Sequence, residues 1–244
     1  MIIAINARTL MAVPRDGIGW FTLEVVRGMI RDHPEHRFVL IGDRRYDGRR
    51  AKAFRHDPDS PAAGKKKYKG FPVEGRNVEY VTMPLRTVHP LLWHVWHEFL
   101  LPPVLKRISA DVFIAPDGMI PLRTDVPCIP VIHDLNHEHR PDDIPRAECR
   151  YYRRRFPLFA AKGARVSTVS QFSAGDIAAT YGIRTDKIDV VPNGVAEVFS
   201  PPQPGEADET RRQYTGGRPY FLFVSNFSPR KNVEAVIRAF EIFR

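Results

Sequence analysis

The sequence predicts an α/β protein built on a doubly wound, mostly parallel sheet, followed by the start of a second unit of the same kind. Three observations predict it. Short β-branched and aromatic runs alternate with amphipathic stretches of helical period over residues 1–195. A stretch rich in Pro, Gly and charge, within residues 196–219, then reads as a linker. From residue 220 to residue 244 the apolar pattern restarts in "YFLFVSNFSPRKNVEAVIRAFEIFR". Strands that alternate with helices form a parallel sheet covered on both faces.

The elements follow in order. Ile2–Asn6 is a β-branched run and reads as the first strand. Ile18, Phe21, Val25 and Met29, with Val26 and Ile30, make the stripe of a helix. "RFVLIG" at 37–42 and "VEYVTM" at 78–83 are strands, separated by a long polar loop over 43–76. Residues 91–107 have helical character, and Pro102 and Pro103 predict a break or kink there. "DVFIAP" and "CIPVIHDL" are strands, and Glu148 to Lys162 is a helix. "ARVSTVS" is a strand, after which Ser170 caps a helix that ends at Gly182. "KIDVVPNGV" is a strand that runs into a turn. At the end, Tyr220 to Ser225 reads as a strand, "NFSPRKN" as a basic turn, and Val233, Val236, Ile237 and Phe240 as a helix stripe.

The totals bound the function. A chain of 244 residues with 43% hydrophobic and 27% charged residues can bury a real core. A net charge of +9 favours anionic partners. Two cysteines, Cys128 and Cys149, make neither a disulfide framework nor a zinc cage, and Cys128 reads as a buried thiol. The N-terminus has no basic region followed by a long apolar stretch, so no signal peptide is expected. "LLWHVWHEFLLPPVL" is too short and too polar to span a bilayer.

Several stretches carry chemistry. In "PRDGIGWFT", Gly17 and Gly19 precede a helix and could bring backbone N–H groups to a phosphate. A nicotinamide fingerprint needs a third glycine where Thr22 stands and a tighter first loop; only Asp43 supports that reading. In "VIHDLNHEHRP", His133 and Asp134 lie where a strand meets a loop, the functional rim of such sheets. His133, His137, Glu138 and His139 match no standard zinc spacing; a structural, a sugar-contacting and a catalytic His133 stay open. "DPD" at 57–59 falls in the polar loop and reads as solvated. In "SPRKN", Arg230 and Lys231 sit between strand and helix and could bind a diphosphate. "KKKYKG" and "RYYRRRF" read as solvated faces, and an anionic membrane surface suits them better than nucleic acid.

Four stretches in order, "GIGWFTLEVVRGM", "VPCIPVIHDL", "STVSQFSAGDIAATYGIRTDKIDVVPNGV" and "FLFVSNFSPRKNVEAVIRAF", resemble the family-4 retaining glycosyltransferases of the GT-B fold. The resemblance implies two facing Rossmann-like domains: residues 1–195 on the acceptor side, and a donor-binding domain beginning at residue 220. It implies that Gly17 and Gly19 approach the donor diphosphate and that His133 lies near the transferring sugar as the catalytic residue, with Asp134 as a sugar or acceptor contact. It implies that Lys231, helped by Arg230, binds the diphosphate, so that neither a metal nor another cofactor is needed. Many members carry an arginine where Asn226 stands here. The implied partners are a UDP-, GDP- or ADP-sugar and a glycan or lipid-linked acceptor, with peripheral contact to an anionic membrane face, a cytoplasmic location and no nucleic acid. The family's E-x7-E element lies well beyond the "K-N" turn and has no counterpart before Arg244. The expectation is therefore a chain truncated early in its C-terminal domain, with little transferase activity alone. The rival expectation is a non-catalytic Rossmann-like module that holds a glycan or acceptor and needs a partner donor domain.

Overall fold

The computed structural model describes residues 1–11, 16–44, 73, 75–195, 199–225 and 229–244. The expectations for "DPD", for "KKKYKG" and for Asn226 lie outside the described residues. The chain divides into two compact units, Met1–Pro192 and Asn193–Arg244.

In the first unit, β1 (Ile2–Asn6) pairs in parallel with β2 (Arg37–Gly42) on one side and β4 (Val112–Ala115) on the other. β3 (Val78–Thr82) extends the sheet beyond β2, and β5 (Cys128–Pro130) extends it beyond β4. The strand order is β3-β2-β1-β4-β5. A parallel bridge between Val131 and Ser167 carries the pattern on to β6 (Val166–Thr168), which pairs with β7 (Ile188–Val190).

The chain leaves β1 through α1 (Gly17–Asp32) to reach β2 on one side. It later passes through α2 (Pro90–Val95) and α3 (Leu101–Arg107) to β4 on the other side. The switch point of the sheet therefore falls between β1 and β4, and ligands of open α/β sheets bind at the carboxyl ends of the strands there.

Strand alternation sorts the core into two faces. Ile3, Ile5, Phe38 and Leu40 pack with Leu23, Val26 and Ile30 of α1. Ala4, Val39, Ile41, Phe113 and Ala115 pack on the opposite face with Trp96, Leu101 and Leu105. Phe156 and Phe159 of α5 (Arg146–Lys162) join that second layer. α6 (Gln171–Tyr181) follows β6; Ser170 caps it and Gly182 ends it at φ +66°, both as the sequence predicts. Between α5 and β5, α4 (Asn136–His139) is a single turn.

Three places differ from the sequence reading. Residues 91–107 do not break. A π-helical turn, Trp96–Leu100, joins α2 to α3. Proline clashes with the carbonyl four residues before it and lacks an N–H; the wider π turn absorbs both defects of Pro102 and Pro103 and keeps the axis running. Within the predicted linker lies α7 (Glu206–Thr215). It has no apolar stripe to betray it. Glu206, Asp208 and Glu209 stand in its first turn and Arg212 in its last, and Gly216 closes it at φ +64°; charge and cap make this helix. In the second unit, residues 220–225 carry no ladder among the described residues, because a strand exists only against a neighbour. α8 (Val233–Phe243) follows the turn Pro229–Lys231 as expected.

Candidate active site

The polar groups of the first unit gather at the switch point. Asn6 ends β1 on the α3 face, the face its pleat shares with Ala4. Its amide Nδ2 donates to both carboxylate oxygens of Asp117, at 3.0 Å each. Arg8 lies two residues on, and its Nη2 stands 3.4 Å from Asp117, both side chains nearly buried. Asp117 follows β4 in "APDG". Gly118 N–H donates to the Ala115 carbonyl at 2.9 Å, closing a turn with Pro116 at its second position. Gly118 sits at φ +78° with the Phe156 ring 3.0 Å from where a Cβ would stand, so glycine is required twice over. Met119 N–H adds a further bond to Asp117, at 3.2 Å. Burial raises the Asp117 pKa, and the Arg8 charge opposes that rise.

His97 lies below, fully buried on the π-helical turn. Its Nδ1 donates to the Trp93 carbonyl at 2.8 Å, so its Nε2 carries the lone pair and faces Asn6 Nδ2 at 3.5 Å. Burial, followed by the Arg8 charge, holds its pKa well below the usual histidine value. Glu98 on the same turn accepts from Leu122 N–H at 3.2 Å and pairs with Arg155 of α5.

His133 stands at the next strand end. Its Nε2 donates to the Pro116 carbonyl at 2.9 Å, which leaves Nδ1 as the lone-pair nitrogen. The Phe21 ring of α1 meets the imidazole edge-on at 4.8 Å. The backbone of His133 is held from the other side. Ser173 Oγ donates to the His133 carbonyl at 3.1 Å, while Ser170 Oγ accepts from Ser173 N–H at 3.0 Å. Thr168 Oγ1 donates to the Ile132 carbonyl at 2.7 Å. The "STVSQFS" stretch thus caps a helix and clamps the histidine loop together. Beside Phe21, an apolar cavity of about 140 Å³ opens between Val25, Met29, Ile114 and Ile129.

The other predicted residues are placed as follows. Gly17 begins α1, is exposed, and has open space where a side chain would stand. The Gly19 N–H is taken: it donates to the Asp16 cap at 2.8 Å, so this glycine serves the helix start. Asp134 accepts from Asn136 N–H at 3.0 Å and Nδ2 at 2.7 Å, a local turn at the entry to α4. The histidine-rich stretch disperses. His137 Nε2 lies 2.8 Å from the Tyr181 hydroxyl, and His139 Nε2 lies 2.8 Å from Asp176. Glu138 pairs with Arg153 at 2.9 Å. Asp43 accepts from Thr87 N–H at 3.0 Å and from its hydroxyl at 2.6 Å. Cys128 is buried, which pushes its thiol up to about 12. In the second unit, Arg230 and Lys231 occupy the turn before α8, Arg230 exposed and Lys231 half-buried.

Sequence reasoning missed Arg8, Asp117, Asn6 and His97. Two signals were present: "NAR" directly after the first strand, and the turn "APDG" after the fourth.

A parallel sheet in the order β3-β2-β1-β4-β5 with a polar cluster at its switch point defines a doubly wound α/β protein of Rossmann-like type. The sequence is more specific. Residues 15–199 match the model of Glycosyltransferase Family 4, and the chain belongs to that family. Over 139 residues it is 21% identical to the O-antigen chain mannosyltransferase B of Escherichia coli, covering 57% of this chain and 36% of that one. The crystal structure of WaaG, a glycosyltransferase involved in lipopolysaccharide biosynthesis, is similar with a TM-score of 0.59 at 13% identity, covering 98% of this chain and 58% of WaaG. Alr3699/HepE of Anabaena, solved in complex with UDP and glucose, is similar with a TM-score of 0.58 at 14% identity, covering 98% of this chain and 57% of that one. These likenesses show the fold, an α/β fold of the GT-B type. The chain spans between about a third and three fifths of the length of these relatives. Among the described residues, no helix is long and apolar enough to cross a membrane.

Proposed function

We propose that this chain belongs to a glycosyltransferase that moves a sugar from a nucleotide-sugar donor to a glycan or lipid-linked acceptor with retention of configuration, in polysaccharide or glycolipid biosynthesis. The observation that carries the reading is the convergence of Asn6, Arg8, Asp117 and His133 on the switch point of a Family 4 sheet. His133 is the catalytic residue of this reading. With Nε2–H fixed on Pro116, its Nδ1 lone pair is left to accept a hydrogen bond from a hydroxyl of the bound sugar, while the acceptor's proton leaves with the departing phosphate oxygen. Gly17, at the open first turn of α1, supplies backbone donors for the donor diphosphate. Arg230 and Lys231 supply cations that stabilise the leaving diphosphate as its charge develops. Exposed Val88, Leu91 and Phe99, with Arg123 stacked 4.6 Å from the Phe99 ring, support peripheral contact with an anionic membrane face.

The test is nucleotide release from UDP-, GDP- and ADP-sugars in the presence of a lipid-linked glycan acceptor, run on this chain, from which little turnover is expected alone, and on a longer form that supplies the rest of a donor-binding domain. One nucleotide class should be released, and His133→Ala should cut the rate by roughly 10²-fold or more, the range for losing one preorganised hydrogen bond to the transition state, with the unfolding midpoint unchanged. Loss of folding in His133→Ala, or an unchanged rate, would remove His133 from the reaction. A second reading, a non-catalytic acceptor-binding module, rests on the share of its relatives' length that the chain spans. Acceptor binding without release of any nucleotide would favour it.

A further inference from the structure

A buried network of charges lies directly behind the histidine of the proposed site, and neither the family match nor the fold assigns it a role. Arg8 is its centre. Its side chain is 10% exposed, and its Nη2 reaches Asp117 at 3.4 Å. Among the described residues its Nε and Nη1 have no hydrogen-bond partner, and its guanidinium carbon stands 5.4 Å from the centroid of the Trp96 ring. Trp96 Nε1, Tyr151 Oη and Arg155 Nε, in the layer around it, are also buried without a partner among the described residues. A buried network left partly satisfied is worse for folding than an apolar core. Such departures from good packing concentrate at functional sites. The π-helical turn that carries Trp96, His97 and Glu98 into this layer is another feature of that kind.

The network has one outlet. Asn6 and Arg8 both grip the carboxylate of Asp117. Asp117 sits in the four-residue turn that begins at Ala115, and the residue before it is Pro116. The Pro116 carbonyl is the group that accepts from His133 Nε2. Pinning the Asp117 side chain therefore fixes the turn, the turn aims the Pro116 carbonyl, and the carbonyl selects the tautomer and orientation of the imidazole.

We propose that Arg8 and Asp117, with Asn6, are positioning residues that set the tautomer of His133 through the Pro116 carbonyl. This rests on the reading of His133 as the transfer-site histidine, but the two can fail separately. The network acts across the switch point, joining β1 to β4 at the place where substrate is expected. Lysine cannot replace Arg8, because a point charge on a flexible stem lacks the planar fork that meets a carboxylate while stacking on an indole. Asparagine at Asp117 keeps the shape and removes the charge that Arg8 meets.

The experiment is ring ¹⁵N NMR of the histidines in the 244-residue chain, with His133 assigned by the signals that vanish in His133→Gln. The native chain is expected to show His133 as the Nε2–H tautomer. In Arg8→Lys and in Asp117→Asn the Nδ1–H population should rise severalfold, in proteins whose far-UV circular dichroism and cooperative unfolding show that they remain folded. His133 signals that stay unchanged in both folded variants would overturn the proposal and leave the network a purely structural one. Asn6→Asp, at a different point of the same network, replaces either variant if it does not fold, and the same two outcomes apply. Turnover of His133→Gln tests the other reading: retained turnover would remove His133 from the chemistry, while the tautomer shift would still report the positioning.

Discussion

Each unit contains the same local sentence, a short apolar run, a turn, and an amphipathic helix, and the two copies end in opposite states. In the first unit, Ile3 and Ile5 of β1 and Leu23 and Val26 of α1 are buried, since β2 and β4 flank the strand and the helix lies across them. In the second, Leu222 and Val224 are 76% and 84% exposed. Phe240, on the apolar side of α8, is still 46% exposed and meets Phe221 edge-on at 6.1 Å between ring centroids. Propensity and pattern are alike in the two places. What differs is the number of neighbouring strands. A strand–helix pair has the pattern of a core without having a core.

The comparison can be broken or sharpened by measurement. The largest expected effect is Phe113→Ala, at a fully buried position on β4, which should cost about 3–5 kcal/mol in denaturant unfolding. A loss below about 1 kcal/mol there would mean the first unit is not the rigid partner in the comparison.

Next comes pH. His97 and His137 are held below their usual range, chiefly by burial, against an ordinary value of 6.5. Below that pH the unfolded chain takes up protons that the folded chain refuses. Stability therefore falls as pH drops from 6.5, by up to about 1.4 kcal/mol per pH unit for each histidine. Asp117 acts in the opposite sense. Its folded pKa is raised above 3.8, so its contribution is present below that value and is lost as pH rises through the raised one. His97→Gln should flatten the acid slope seen in unfolding midpoints between about pH 6.5 and 5; an unaltered slope would place the proton elsewhere.

Ser170→Ala should cost about 1 kcal/mol through the lost cap of α6. The smallest effect is expected in the second unit. Phe240→Ala should change stability by less than about 0.5 kcal/mol, and hydrogen exchange should find the amides of 220–225 far less protected than those of β1. A cost near that of Phe113→Ala would show that the α8 face is covered in solution.

Much of the fold was legible because it depends on period. Runs such as "RFVLIG" and "DVFIAP" announce strands, and Ser170 with Gly182 brackets a helix by cap chemistry alone. α7 was not legible as a helix, because charge placement and a left-handed glycine define it without an apolar stripe. At Pro102 and Pro103 the sequence predicted a break or kink and not the π-helical turn that lets the helix continue, since a sequence shows the defect that proline makes and not the backbone that absorbs it. The site divided along the same line. His133 stood out by its position after a strand. Arg8 and Asp117 are 109 residues apart in the chain and become neighbours only through the β1–β4 pairing. At Gly19 the sequence showed a glycine near a helix start but not the Asp16 cap that takes its N–H.

The central place of β1 also bears on how the chain is made. Ile3 pairs with Val112, so β1 must wait 109 residues of synthesis for its second neighbour. At a synthesis rate of roughly 5–20 residues per second, that wait is roughly 5–20 s, with one edge of this strand open throughout. During that interval β2 covers one edge of β1 and α1 one face, so the strand at the centre of the sheet is among the last to complete its hydrogen bonds.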